Sequence, residues 1–212
     1  LEIDVYLPEL KLGIELNGDR FHSDLYKPKN YHLSKTKECN EKGIQLIHIW
    51  LTDWYKKSEI VKSILMNRLG CTPDKVYARK TTVRELSNTE YQTFLNKNHL
   101  AGSSVAKVRL GLFLSDKLVP VMGFSSKRSV IGVANAGSGE WELMRLCSLL
   151  GTSVIGGANK LLSHFIKTYN PSTITSFADR DWSDGGVYEQ LGFQFVRFTP
   201  PGYFYVKSKI RY

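Results

Sequence analysis

Two carboxylates near the start of the chain, Asp4 and Glu15, have the type and spacing to share a divalent cation. Ile3, Val5 and Leu7 alternate with Glu2, Asp4 and Tyr6. After Pro8-Glu9, Leu10, Leu12, Ile14 and Leu16 alternate with Lys11, Gly13, Glu15 and Asn17. A period of two sorts apolar and polar side chains onto opposite faces of a β-hairpin. With Pro8-Glu9 as a two-residue turn, Asp4 lies opposite Gly13 and diagonal to Glu15, a spacing of about 7 Å. Gly13 would leave room for Mg²⁺ or Mn²⁺ and a phosphate. Such an ion lowers the pKa of a bound water and steadies charge on the phosphate. An amphipathic hairpin with a solvated acidic face shows the same pattern.

Asp4, ten intervening residues and then Glu15-Leu16-Asn17 resemble the D…(D/E)-x-K signature of PD-(D/E)XK nucleases. More closely, E-I-D-V-Y-L-P…I-E-L-N-G…F-H resembles the very-short-patch-repair (Vsr)-like branch of phage homing endonucleases. The resemblance implies a nuclease-type core over residues 1–72. It implies metal-dependent phosphodiester hydrolysis, with Asp4 and Glu15 as ligands and Asn17 and His22 as catalytic groups. Asn17 stands where the family has lysine. Leu1 already lies within the first strand, so the core is expected without its upstream helix.

A second constellation lies further on. In Ser153-Val154-Ile155-Gly156-Gly157-Ala158 a glycine pair precedes an apolar-periodic helix, where free amide donors and the helix dipole favour an anion. A tight strand–helix connection needs glycines too. This segment and Val187-Tyr188-Glu189-Gln190-Leu191-Gly192-Phe193 resemble the pyrophosphate loop and the Y-E-x-x-G-F segment of GNAT-type acetyltransferases. The resemblance implies acyl-CoA held by Ser153, Gly156, Gly157 and Ala158, with Tyr188 as acid toward the departing thiolate. Ser153 replaces the family's Gln or Arg. Between these segments, Ser176-Phe177-Ala178-Asp179-Arg180-Asp181-Trp182-Ser183 resembles the Mom-like DNA-modifying relatives of that fold. There Asp179 would polarise a nucleophile, Arg180 would hold a phosphate and Trp182 would stack on a base.

Bulk composition narrows the class. The 212 residues are 42% hydrophobic and 12% aromatic, enough to bury real cores. No apolar run approaches the roughly 18 residues of a membrane span, and no secretory leader is visible. Three widely spaced cysteines, Cys39, Cys71 and Cys147, suit a reducing cytoplasm, that of a bacterial host if the chain is phage-encoded. The net charge of +9 points to a polyanionic partner, DNA. Residues 77–212 carry 17 Lys and Arg against 9 Asp and Glu, while residues 1–76 carry 12 against 11. The second part is therefore the better grip for phosphates, with Lys35, Lys37 and Lys207 as further contacts.

The elements that must position these residues begin, after the hairpin, with a helix over 30–42 stopped by Gly43. A strand over 44–50 and a helix over 55–69 follow, with a domain boundary near residues 70–76. Next come a strand over 75–85, a helix opened by the capping box Ser87-Asn88-Thr89-Glu90, and strands over 108–114 and 117–124. Residues 125–139 read as a loop, followed by a strand over 140–147 and a helix over 156–169. A strand over 173–178, a short helix near 187–191 and strands over 193–198 and 203–207 complete the chain. The expected fold is α/β (α+β), a truncated nuclease-type core over 1–72 followed by a GNAT-like mixed-sheet domain over 73–212. The leading functional expectation is a phage-type DNA endonuclease with a GNAT-like DNA-binding or DNA-modifying domain. The alternatives are an acyl-CoA-dependent or Mom-like transferase and a DNA-binding protein without catalysis. The sequence leaves the oligomeric state open.

Overall fold

The structure is a computed structural model that describes residues 2–22, 26–28, 30–126, 139–200, 202, 204–207 and 210–211. Contacts divide the chain into two compact units, Leu1–Ser58 with Ala178–Tyr212, and Glu59–Phe177.

In the first unit β1 (Val5–Leu7) and β2 (Leu12–Asn17) form the expected antiparallel hairpin, but its turn differs. Pro8–Leu10 is a 3₁₀ turn closed by Lys11 in the left-handed region, φ 48°. The register pairs Val5 with Ile14 and Tyr6 with Gly13. Asp4 therefore comes across from Glu15 rather than diagonal to it, because the turn is longer than two residues. α1 (Tyr31–Glu41) crosses over to β3 (Gln45–Trp50), which pairs parallel to β2 from Leu12 with Gln45 to Asn17 with Trp50. β3 ends the β1-β2-β3 sheet, yet Leu46, Ile47, His48 and Ile49 are all buried. The helix expected over 55–69 is two helices, α2 (Leu51–Lys56) and α3 (Ser58–Arg68).

The second unit holds all but the first residue of α3. Its strand expected over 75–85 is broken into β4 (Asp74–Tyr77) and β5 (Thr82–Glu85) by a 3₁₀ turn at Ala78–Lys80. The break is held by the Lys160 ammonium, which donates to the Ala78 and Thr81 carbonyls. α4 (Asn88–Asn98) opens on the expected capping box, with Ser87 and Glu90 exchanging bonds to each other's backbone N–H. β6 (Val108–Leu114), β7 (Lys117–Ser126) and β8 (Glu140–Ser148) follow, then β9 (Thr152–Ile155), α5 (Gly157–Tyr169) and β10 (Thr173–Thr175). Most of the expected loop 125–139 lies outside the described residues.

The five-stranded sheet runs β10-β8-β7-β6-β5, antiparallel except for the parallel pair β8–β10. β4 and β9 form a separate parallel pair. The fold is a mixed α/β one with several sheets. Its core is aromatic and aliphatic. Phe165 of α5 lies flat on Phe124 of β7 with centroids 3.6 Å apart, and the Trp141 ring meets it edge-on. Leu86, Tyr91, Leu95, Ala106, Val121 and Cys147 form a second buried cluster around α4.

Late in the chain α6 (Gly186–Gln190), β11 (Val206–Lys207) and β12 (Ile210–Arg211) belong to the first unit. The strand expected over 193–198 does not form, and of the strand expected over 203–207 the described residues form only the two of β11. A strand needs a partner edge, and Pro200 and Pro201 bring no N–H to a ladder.

Candidate functional site

In the first unit the hairpin and α1 gather a buried polar network. Glu15 is 4% exposed and its Oε2 lies 2.7 Å from the Lys35 ammonium; its Oε1 accepts the Asp4 N–H. The Asp4 carboxylate accepts the Leu16 N–H at 2.8 Å. The cation missing at Asn17 is thus supplied to the carboxylate from α1. Asn17, fully buried, donates its side-chain amide to His48 Nδ1 at 3.1 Å, and Thr36 Oγ1 lies 2.8 Å from His48 Nε2. The single Thr36 hydroxyl proton goes to the His32 carbonyl, so His48 must donate from Nε2 and accept at Nδ1. That assigns a neutral imidazole.

The histidines form one aromatic group. His22 stacks on His32 with centroids 5.1 Å apart, and His32 lies 5.0 Å from Trp50 and 5.4 Å from His48. Burial pushes the His32 pKa down to about 4, helped by the neighbouring His48 and His22. Burial also pushes His48 down to about 4, with Lys35 adding to it. His22 is lowered for the same first reason, with Lys27 next. Because His32 and His48 titrate below their ordinary 6.5, the folded protein binds fewer protons than the unfolded chain between pH 6.5 and about 4. Stability is therefore full above pH 6.5 and falls as the pH drops through that window, by up to about 1.4 kcal/mol per pH unit per histidine. Urea midpoints of the first unit at about pH 7.5 and 5 test this; equal midpoints would contradict it.

Among the described residues no three His, Cys, Asp or Glu side chains gather to hold a metal ion. Asp4 and Glu15 face one another but are engaged by two backbone N–H groups and the Lys35 ammonium. As they stand they form no seat for Mg²⁺ or Mn²⁺. Lys37 is exposed on α1. Tyr188 on α6 is half-buried with its ring against Phe193, centroids 5.6 Å apart. Asp179 accepts the Asp181 N–H, and Asp181 accepts the Trp50 indole N–H at 2.9 Å. Trp182 is 7% exposed, so its indole face is not open to a base.

The second unit presents a different kind of site. β9 runs into Gly156, which is exposed at φ 75° and serves as the N-cap of α5 with no side-chain cap. The first-turn amides of Gly157, Ala158 and Asn159 therefore have no intrahelical acceptor. Gly157 is fixed by packing, since a Cβ there would lie 2.8 Å from Val154 Cγ1. Ser153, half-buried on β9, pairs with Lys75 of β4. β8 pairs with β10 over Glu140–Glu142, and just beyond that ladder the Ser176 hydroxyl donates to the Leu143 carbonyl.

On the other side of β8 the register shifts, Gly123 pairing with Arg145 and Phe124 with Leu143. Met144 is the extra residue of this bulge. Gly123 has no side chain to give because the Tyr91 hydroxyl occupies that space. Burial raises the Tyr91 pKa, with Ser104 and Arg145 acting against the rise.

Neither the His48–Thr36 bond nor the role of Tyr91 is legible in the sequence. One signal was available: His32, Lys35, Thr36 and Cys39 fall at i, i+3, i+4 and i+7, so the sheet-facing stripe of α1 is polar rather than apolar.

No family model matches the chain, and no curated protein matches it significantly. Among solved structures it is similar to apo aminoglycoside antibiotic 6'-N-acetyltransferase AAC(6')-IG from Acinetobacter haemolyticus. The identity is 12% and the TM-score 0.41, over 59% of this chain and 99% of that chain. A likeness of that size carries nothing about activity, substrate or site residues. The expectation of a magnesium-dependent hydrolase, an endonuclease of PD-(D/E)XK, Vsr-like or phage homing type, is corrected. The two hairpin carboxylates that were to hold the metal are tied up by internal partners, the Leu16 and Asp4 N–H groups and the Lys35 ammonium. Among the described residues no helix is long and apolar enough to cross a membrane.

Proposed function

We propose that the chain is a GNAT-type transferase that takes an acyl group from acyl-CoA and passes it to an acceptor carried on DNA. The observation that carries this reading is the end of β9. An exposed glycine in the left-handed conformation opens α5 without a side-chain cap, leaving amide donors and the positive end of a helix dipole. A pyrophosphate is the anion such a terminus suits. Gly156, Gly157 and Ala158 would hold it by backbone N–H. When bound, the thioester supplies an activated acyl carbon. DNA as acceptor is supported by the net charge of +9, most of it after residue 76.

The test is transfer of a radiolabelled acetyl group from acetyl-CoA to single- or double-stranded DNA by the full chain. Label retained on DNA after protease digestion is expected. Label only on free acetate, or none released, would contradict the reading.

A further inference from the structure

The late stretch of the first unit leaves aromatic rings in water. Phe195 and Phe198 are 66% and 60% exposed, with centroids 4.9 Å apart. The Arg180 guanidinium lies over the Phe198 ring, 4.3 Å from its centroid. Val196 between them is 84% exposed. An apolar patch of this kind marks a surface with a partner.

Charge says which partner. From Gly192 onward the chain holds Arg197, Lys207, Lys209 and Arg211 and no Asp or Glu. The carboxylates that flank Arg180 are engaged within the loop, Asp181 by the Trp50 indole and Asp179 by the Asp181 N–H. Exposed rings among cations suit a polyanion that also has flat apolar faces. Unpaired bases have such faces and phosphates between them; a duplex hides its base faces in the stack.

We propose that Phe195 and Phe198, with Arg180 and Arg197, are a stacking platform for single-stranded nucleic acid. The rings take two bases, and the guanidiniums take neighbouring phosphates or complete the stack by cation–π contact. The platform stands in for Trp182, whose ring is buried. The inference rests on the proposed transferase reading only for what happens to the strand once bound; the binding itself needs no acyl donor.

The experiment is fluorescence anisotropy of a fluorescein-labelled oligothymidylate about twenty nucleotides long, titrated with the full chain at several salt concentrations. Binding is expected to weaken with salt and to be tighter than to a duplex of equal length. Phe198→Ala is expected to weaken it about tenfold, the order of one lost base stack, and Phe198→Tyr to preserve it. Arg197→Gln should lower the salt slope by about 0.7. Both rings are exposed, so the variants keep their fold. No binding at low salt, or equal binding by Phe198→Ala, overturns the proposal. So does a concentration-dependent dimer in sedimentation that Phe198→Ala dissolves, which would give the patch to a second copy of the chain. Failure here leaves acetyl-CoA binding untouched, and failure of acetyl-CoA binding leaves this result standing.

Discussion

Gly156→Asp is expected to weaken acetyl-CoA binding by at least about tenfold while the protein stays folded. The fold survives because aspartate is among the residues that tolerate the left-handed region Gly156 occupies at φ 75°. The nearest atom to a new Cβ would be the Ala78 Cβ at 3.7 Å, an ordinary contact. The backbone cost is about 1 kcal/mol. Binding suffers because the new carboxylate takes the place of the anion. It occupies the free amides of the first turn and complements the helix dipole, which is worth about 0.3–2 kcal/mol, and it repels the pyrophosphate. Gly157→Ala is the informative companion. Its Cβ would press on Val154 at 2.8 Å, so it should cost stability rather than affinity alone. Calorimetric titration with acetyl-CoA checks both. A folded Gly156→Asp variant with unchanged affinity would place any cofactor elsewhere.

Phe165→Ala is expected to cost the second unit about 3–5 kcal/mol, the range for emptying a buried aromatic site. Phe165 is fully buried, stacked on Phe124 with their planes 8° apart, met edge-on by Trp141 and flanked by Tyr169 at 5.0 Å. No neighbour can swing in to refill the space without losing its own ring contacts. The loss falls on the element that presents Gly156, because α5 docks on the sheet through Phe165 and its neighbours Leu161 and Leu162. Urea unfolding followed by tryptophan fluorescence measures it. A loss below about 1 kcal/mol would mean that α5 is not held to the sheet through this stack.

How far the sequence reveals this molecule depends on whether a feature is set by neighbours along the chain. The capping box at Ser87, the glycine stop after α1, the β6–β7 hairpin and the glycine entry to α5 are local, and all are legible. The hairpin of Asp4 and Glu15 is legible as a hairpin but not in register. Pro8 starts a 3₁₀ turn instead of a two-residue one, and the two extra turn residues move every pairing by two. Strand 193–198 reads as β by its alternation, yet β-propensity reports fit to a sheet surface, and no edge receives it. The polar stripe of α1 is the subtlest case. Searching for an apolar face hides a helix whose inward side is His32, Lys35, Thr36 and Cys39. Likewise Tyr91 on α4 is unremarkable in sequence, and only the missing side chain at Gly123 makes its position necessary.

The central claim is that the uncapped start of α5 receives the phosphates of acyl-CoA. The most direct measurement is a titration of the ¹⁵N-labelled full chain with acetyl-CoA, following backbone amide resonances. The account predicts saturable shifts at the amides of Gly156, Gly157 and Ala158, absent in Gly156→Asp. Unmoved resonances at these three positions up to millimolar acetyl-CoA, or shifts confined to other residues, would contradict it.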